Sequence, residues 1–125
     1  MYKIEKIGDK VLYIKALGTF PISVAKRFKK DFKKKIKNLD QFSAIVDGLD
    51  LIILNLKSFK IVLKLLKKNN DKLIKSAYII GKNPVLNKEA EILLQKARSP
   101  KRKIVETLEE AKKWIGIENI IIQKE

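Results

Sequence analysis

Apolar positions recur along this chain with two alternating periods. Tyr2 to Ile7 and Val11 to about Leu17 are short, mostly apolar runs on either side of Gly8-Asp9, and this spacing predicts a β-hairpin. At Gly18-Thr19-Phe20-Pro21 the period changes. Val24, Phe28, Phe32 and Ile36 return every four residues with Ala25 beside them, which predicts a helix with one buried face and Pro21 near its first turn. Phe42 to Val46 predicts a strand that Asp47-Gly48 ends. Leu49 to Leu54 is apolar without a clear period and predicts a packed loop. Asn55 is placed to cap a second helix, with Leu56, Phe59, Val62, Leu63 and Leu66 inward and Asn69-Asn70-Asp71 as its stop. Ile74 to Ile80 predicts a buried strand, and Gly81 with Asn83-Pro84 turns it into a third helix that buries Leu86, Ala90, Leu93, Leu94 and Ala97. Ser99 to Lys103 predicts a basic loop and Ile104-Val105 a short strand. Thr107-Leu108-Glu109-Glu110 is a capping box for a last helix, with Leu108, Ala111, Trp114 and Ile115 inward and Gly116 at its end. Ile120-Ile121-Ile122 permits a terminal strand.

The order β-β-α-β-α-β-α-β-α argues for an α/β fold. It predicts a central mixed, mostly parallel sheet of four to five strands packed with four amphipathic helices that serve as crossovers. A length of 125 residues and the lack of repeats or low-complexity linkers predict one domain over residues 1–125. The N-terminal residues carry Glu5, Lys6, Asp9 and Lys10, which interrupt any secretory apolar stretch. No apolar stretch approaches the roughly 20 residues of a membrane span, so a soluble, cytoplasmic protein is expected.

Composition narrows the chemistry. The chain has no Cys and no His, so disulfides, thiolate nucleophiles and the usual zinc ligands are excluded, and the commonest general base is absent. The formal net charge is +15. It comes from 26 Lys and only 3 Arg, beside 19 Ile and 7 Asn. That profile has two readings. Lys, Ile and Asn are the residues of A/T-rich codons, so the charge reflects genome composition and solubility; or it marks a surface selected for anionic partners. Arg, the residue suited to bidentate phosphate and base contacts, is scarce. The charge lies on two helices. Eight basic side chains fall within residues 26–37, interrupted only by Asp31, and the second helix adds a lysine stripe. The candidate anion-binding face is Lys26, Arg27, Lys30, Lys33, Lys34 and Lys37 with Lys57, Lys60 and Lys64, against the alternative of a solvated face.

Two stretches carry a family resemblance. Val46-Asp47-Gly48-Leu49, after a strand and before a helix, resembles the centre of a STAS domain, the fold of sulfate transporters and anti-sigma-factor antagonists. Ala77 to Pro84 followed by a helix, and then Lys103-Ile104-Val105-Glu106-Thr107-Leu108-Glu109-Glu110-Ala111-Lys112-Lys113-Trp114-Ile115, is similar to the ending of small bacterial STAS-like (SpoIIAA-like) proteins. The resemblance implies a regulatory module that docks protein partners, compatible with a homodimer. In the regulatory branch a Ser at the start of the helix after the Asp-bearing strand is phosphorylated, which adds negative charge and breaks docking. Here Asn55 stands where the acidic residue would be and Leu56 where that Ser would be; Ser58 is the nearest hydroxyl. The phospho-acceptor motif is therefore absent. Other STAS-like relatives resemble lipid-binding domains, which implies an apolar or anionic ligand near Leu49 to Leu56.

The candidate groove for a ligand or partner is Asp47, Gly48, Asp50, Asn55 and Ser58. Asp47 and Asp50 are paired carboxylates at the carboxyl edge of a strand, where open α/β sheets commonly bind ligands. They have the chemistry to hold Mg²⁺ or to act as acid and base, but Asp47 is equally an Asx-type turn residue before Gly48. No nucleophile, base or metal constellation converges, so no catalytic residue, metal or cofactor is assigned and the expected protein is not an enzyme. The expectation is a non-enzymatic STAS-like regulatory or interaction domain binding a protein partner or a small anionic or apolar ligand. The alternative is a nucleic-acid or acidic-surface binder using the two lysine-rich helices.

Overall fold

A computed structural model describes residues 1–52 and 55–117. The elements run β1 (Tyr2–Gly8), β2 (Val11–Gly18), α1 (Ile22–Ile36), β3 (Phe42–Leu51), α2 (Leu56–Lys68), β4 (Leu73–Ile79), α3 (Pro84–Ala97), β5 (Arg102–Val105) and α4 (Leu108–Ile115). The five strands form one sheet in the order β1-β2-β3-β4-β5; β1 is antiparallel to β2 and every other pair is parallel. The expected terminal strand at Ile120 to Ile122 lies outside the described residues.

Each crossover from β2 to β5 steps to the next strand in the same direction. Right-handed connections then place α1, α2 and α3 on one face of the sheet, and they pack side by side there. α4 follows β5 and covers the opposite face, against β3, β4 and β5. Strand side chains alternate between these layers. Leu12, Ile14 and Ala44 join Phe28, Phe32 and Ile36 of α1 in the core under the helix layer. Tyr13, Ile45, Ala77, Ile79 and Val105 meet Ala111, Trp114 and Ile115 of α4 on the other side. Phe28 stacks on Phe32, and Phe32 meets Phe42 edge-on, so the four-residue period of α1 becomes a continuous aromatic file.

The helix ends follow the sequence. Asn55 accepts from the Ser58 amide at 2.9 Å, Asn83 from the Leu86 amide at 3.1 Å with Pro84 in the first turn, and Thr107 from the Glu110 amide at 3.2 Å. Three expectations need correction. First, β3 does not stop at Asp47 but continues to Leu51, so Leu49 to Leu51 are strand, not loop. Second, Arg102 and Lys103 belong to β5 rather than to a loop. Third, α2 is rotated by about one residue from the expected orientation. Ser58 and Leu65 are its buried residues, whereas Leu56 is 69% exposed.

The β2–α1 connection holds a backbone strain. Phe20 has φ 47°, a left-handed conformation that costs a bulky residue on the order of 1–3 kcal/mol. Its neighbours hold it there. The ring is buried edge-on against Tyr2 and Phe28, and its carbonyl accepts from the Ser58 hydroxyl at 2.8 Å.

Candidate ligand and partner sites

Asp47 is 1% exposed in the middle of β3. One carboxylate oxygen accepts from the Tyr13 hydroxyl on β2, and the other accepts from the Leu49 amide at 3.1 Å. The second contact is the expected Asx-type bond, but its effect differs. Lys15 pairs with Asp47 and Leu17 with Asp50, so one residue on β2 opposes two on β3. The carboxylate thus braces a β-bulge that re-aims the strand instead of ending it. Beyond the bulge Asp50 is exposed and pairs with Lys15 Nζ at 3.4 Å. Asp47 thus bonds Tyr13 and Leu49, whereas Asp50 pairs with Lys15. The described residues contain no cluster of three Asp or Glu side chains suited to a metal ion. The strand order has no reversal either, so the crevice that opens at a switch point of doubly wound sheets is missing beside Asp47.

Burial pushes the Tyr13 phenol well above its ordinary range, helped by the hydrogen bond to Asp47 and by the charges of Asp47, Glu5 and Asp50. Tyr2 is pushed up to about 12 by burial and by its hydrogen bond and proximity to Asp31, the one acid within the basic run of α1; Arg27 pulls slightly the other way. The folded state favours both neutral phenols. Their contribution to stability is complete below pH 10 and is lost as pH rises from 10 toward 12. Thermal melts across this window are expected to fall more steeply for the native chain than for Tyr13→Phe, whose lysines titrate alike. Parallel slopes would show that Tyr13 is not shielded as described.

Of the other groove residues, Gly48 fits its place closely. A Cβ there would meet the Ile79 carbonyl oxygen at 3.3 Å and Ile80 Cδ1 at 3.4 Å. Asn55 is exposed and acts as the cap already described. Ser58 is fully buried, and both its amide and its hydroxyl are used within the fold. These five residues do not converge on one groove.

The structure instead contains an apolar cavity of about 130 Å³ between the sheet and the α1–α3 layer. Gly48, Leu51, Asn69, Glu89 and Arg102 are among the residues that line it. Ser76 on β4 also lines it. The Ser76 side chain is 1% exposed, and its hydroxyl has no hydrogen-bond partner among the described residues. The sequence did carry weak signals here: Ser76 is a lone hydroxyl inside an apolar strand, and Arg102 is one of three arginines.

The carboxyl edge of the sheet is apolar where it meets solvent. Ile22, Leu56 and Val85 lie in the first turns of α1, α2 and α3, Leu49 lies near the end of β3 and Ile52 just after it; all five are exposed. Asn83 and Ile52, 3.5 Å apart through Asn83 Nδ2 and the Ile52 carbonyl, bring the β4–α3 and β3–α2 connections together.

The candidate anion-binding residues are all exposed, but they do not form one patch. Lys33 lies near Lys68, Lys29 and Lys64 across the α1–α2 seam, and their charges lower its pKa. Arg27 acts on Tyr2, on the β1 side of α1. Lys29 and Lys68, absent from the candidate face, belong to the seam. Trp114 is half-buried; its Nε1 donates to the Ser76 carbonyl at 3.0 Å, and Lys75 and Lys103 lie over its ring. It anchors α4 to β4, as the inward pattern of that helix predicts.

No protein-family model matches the sequence, and no curated protein matches it. Solved structures do. An uncharacterized protein of the DUF3478 family from Shewanella loihica PV-4, described as having a SpoIIAA-like fold, superposes with a TM-score of 0.70 at 20% identity, covering 91% of each chain. The anti-sigma factor antagonist SpoIIAA in its unphosphorylated form gives a TM-score of 0.65 at 11% identity, over 88% of this chain and 92% of that one. Among the described residues no helix is long and apolar enough to cross a membrane. The extent of both superpositions leads to one conclusion: the chain has the SpoIIAA-like fold.

Proposed function

We propose that the chain is a non-enzymatic regulatory or interaction domain of the STAS-like type, acting as one unit over residues 1–125, that docks a protein partner on the carboxyl edge of its sheet. The observation that carries this reading is the concentration of exposed apolar side chains there: Ile22, Leu49, Ile52, Leu56 and Val85. A charged chain with 26 lysines has ample polar cover for a solvated edge, yet these positions are Ile, Leu and Val. Docking would bury them with the capped starts of α2 and α3. A phosphoryl switch at Ser58 is not part of the reading, because its hydroxyl is enclosed and donated to Phe20.

A photo-crosslinking residue at position 56 is expected to capture a discrete protein in the native cell. The same residue at position 74, exposed on β4 away from this edge, should capture none. Leu49→Asp with Ile52→Asp should abolish the adduct. Equal labelling from both positions, or an adduct indifferent to the aspartates, refutes the edge as a docking surface.

A second reading, binding of nucleic acid through the lysine surface, is supported by the grouping of Lys29, Lys33, Lys64 and Lys68 across the α1–α2 seam. Gel shifts on duplex DNA over a salt series test it. Lys33→Glu with Lys64→Glu should reduce the log–log salt slope by about 0.9 for each lost phosphate contact. An unchanged slope removes the seam from consideration.

A further inference from the structure

We propose that the cavity between the sheet and helices α1–α3 binds a small monocarboxylic acid, with the carboxylate at Ser76, Tyr78 and Arg102 and the hydrocarbon against Phe28, Phe32 and Leu93. This concerns the interior of the domain and does not depend on partner docking at the edge.

Three donor-bearing side chains sit side by side on the sheet floor of the cavity. Ser76 and Tyr78 lie two residues apart on β4, so both point to the helix-covered face. Arg102 is the register partner of Ser76 on β5, and it too lines the cavity. The three side chains therefore rise from adjacent positions on one floor. The Ser76 hydroxyl is buried with no partner among the described residues. Leaving a hydroxyl so placed is costly unless something accepts from it. The Tyr78 oxygen accepts from Arg102 Nη1 at 2.7 Å, because a guanidinium can only donate. The phenolic hydrogen is thereby directed away from Arg102.

Arg102 itself meets only neutral acceptors among the described residues. Nε and Nη2 donate to Asn70 Oδ1 at 3.3 and 2.9 Å, and Nη2 donates to the Leu66 carbonyl at 3.0 Å. Among the described residues no carboxylate forms an ion pair with it. Glu89 on α3 also borders the cavity but has a partner of its own. A half-buried guanidinium, an orphan hydroxyl and a phenol thus lack one thing in common: an anionic acceptor with two oxygens.

The rest of the wall fixes the size of the ligand. Apart from Asn69 and Glu89 it is built from aliphatic and aromatic residues, and an apolar cavity of about 150 Å³ takes up a molecule the size of benzene. At about 130 Å³ the space suits a hydrocarbon body of about six carbons, not a long acyl chain.

Isothermal titration calorimetry of the full chain with hexanoate tests this, in salt concentrated enough to screen the lysine surface. Saturable one-to-one binding is expected, with hexan-1-ol about tenfold weaker or worse. Ser76→Val is the informative variant. It removes the orphan hydroxyl and adds a methyl group, so the free protein should melt at the same temperature or higher while hexanoate affinity falls about tenfold or more. Tyr78→Phe should weaken binding in the same direction. Leu56→Asp, at the docking edge, should leave hexanoate binding unchanged. Absence of saturable hexanoate binding, equal affinity for the alcohol, or binding indifferent to Ser76→Val would each overturn the assignment.

Discussion

Replacing Ser58 with glutamate is expected to unfold the protein. Ser58 is fully buried in the third position of α2, and its hydroxyl donates to the Phe20 carbonyl at 2.8 Å. Glutamate would bring an ionisable carboxyl, longer by two atoms, to a position with no solvent and no cation. The cost is on the order of 4 kcal/mol or more, against a total stability of about 5–15 kcal/mol for a small domain. Ser58→Ala removes only the hydrogen bond and leaves the buried Phe20 carbonyl short of a donor, at about 1–2 kcal/mol. Urea unfolding followed by circular dichroism reads both. A glutamate variant with the native midpoint would mean that Ser58 faces solvent and that α2 is rotated from the described position. The same question has a second reading in leucines. Leu65→Ala should cost about 2–4 kcal/mol, whereas Leu56→Ala should stay within about 0.5 kcal/mol of the native chain.

Asp47→Ala is expected to be the most damaging loss of a single polar group in the sheet. It strands the Tyr13 hydroxyl, which is buried, and the Leu49 amide, which holds the bulge. Two contacts to an ionised acceptor at about 1.5–3 kcal/mol each, partly offset by relief of the buried charge, give a net loss of about 2–4 kcal/mol. A double-mutant cycle with Tyr13→Phe isolates the cross-strand part. Removing both partners should cost less than the sum of the single changes by about 1–3 kcal/mol. Strict additivity would mean that the two side chains do not interact. The alkaline weakening described for Tyr13 should shrink but persist in Asp47→Ala, because burial, its main cause, remains while the carboxylate that adds to it is gone.

Much of the fold is legible in the residues. The period of α1 fixes Phe28, Phe32 and Ile36 as buried without any tertiary information, and Asn55, Asn83 and Thr107 mark three helix starts where the structure has them. The orientation of α2 is not legible in the same way. Between its lysines nearly every position is Leu, Ile, Val or Phe, so a one-residue rotation changes the apolar face little. The choice then falls to Ser58, which pattern reasoning assigns to solvent. It goes inside because the strained Phe20 carbonyl, 38 residues earlier, supplies an acceptor. Asp47 shows the same limit. Its local bond to Leu49 is predictable, but whether that bond stops a strand or bulges it depends on β2, whose Tyr13 and Lys15 lie opposite.

The order of elements, the α/β class and the apolar faces of α1, α3 and α4 follow from the residues without any knowledge of their packing. Those depend on periodicity and capping, which act over a few residues. The tertiary structure alone decided that Asp47 and Asp50 part company, that the lysines of α1 and α2 meet at one seam, and that Ser76, Tyr78 and Arg102 share a cavity. Each of these requires strands or helices distant in the chain to be set in register. Register is fixed by the pairing and packing of the whole sheet, not by any local segment.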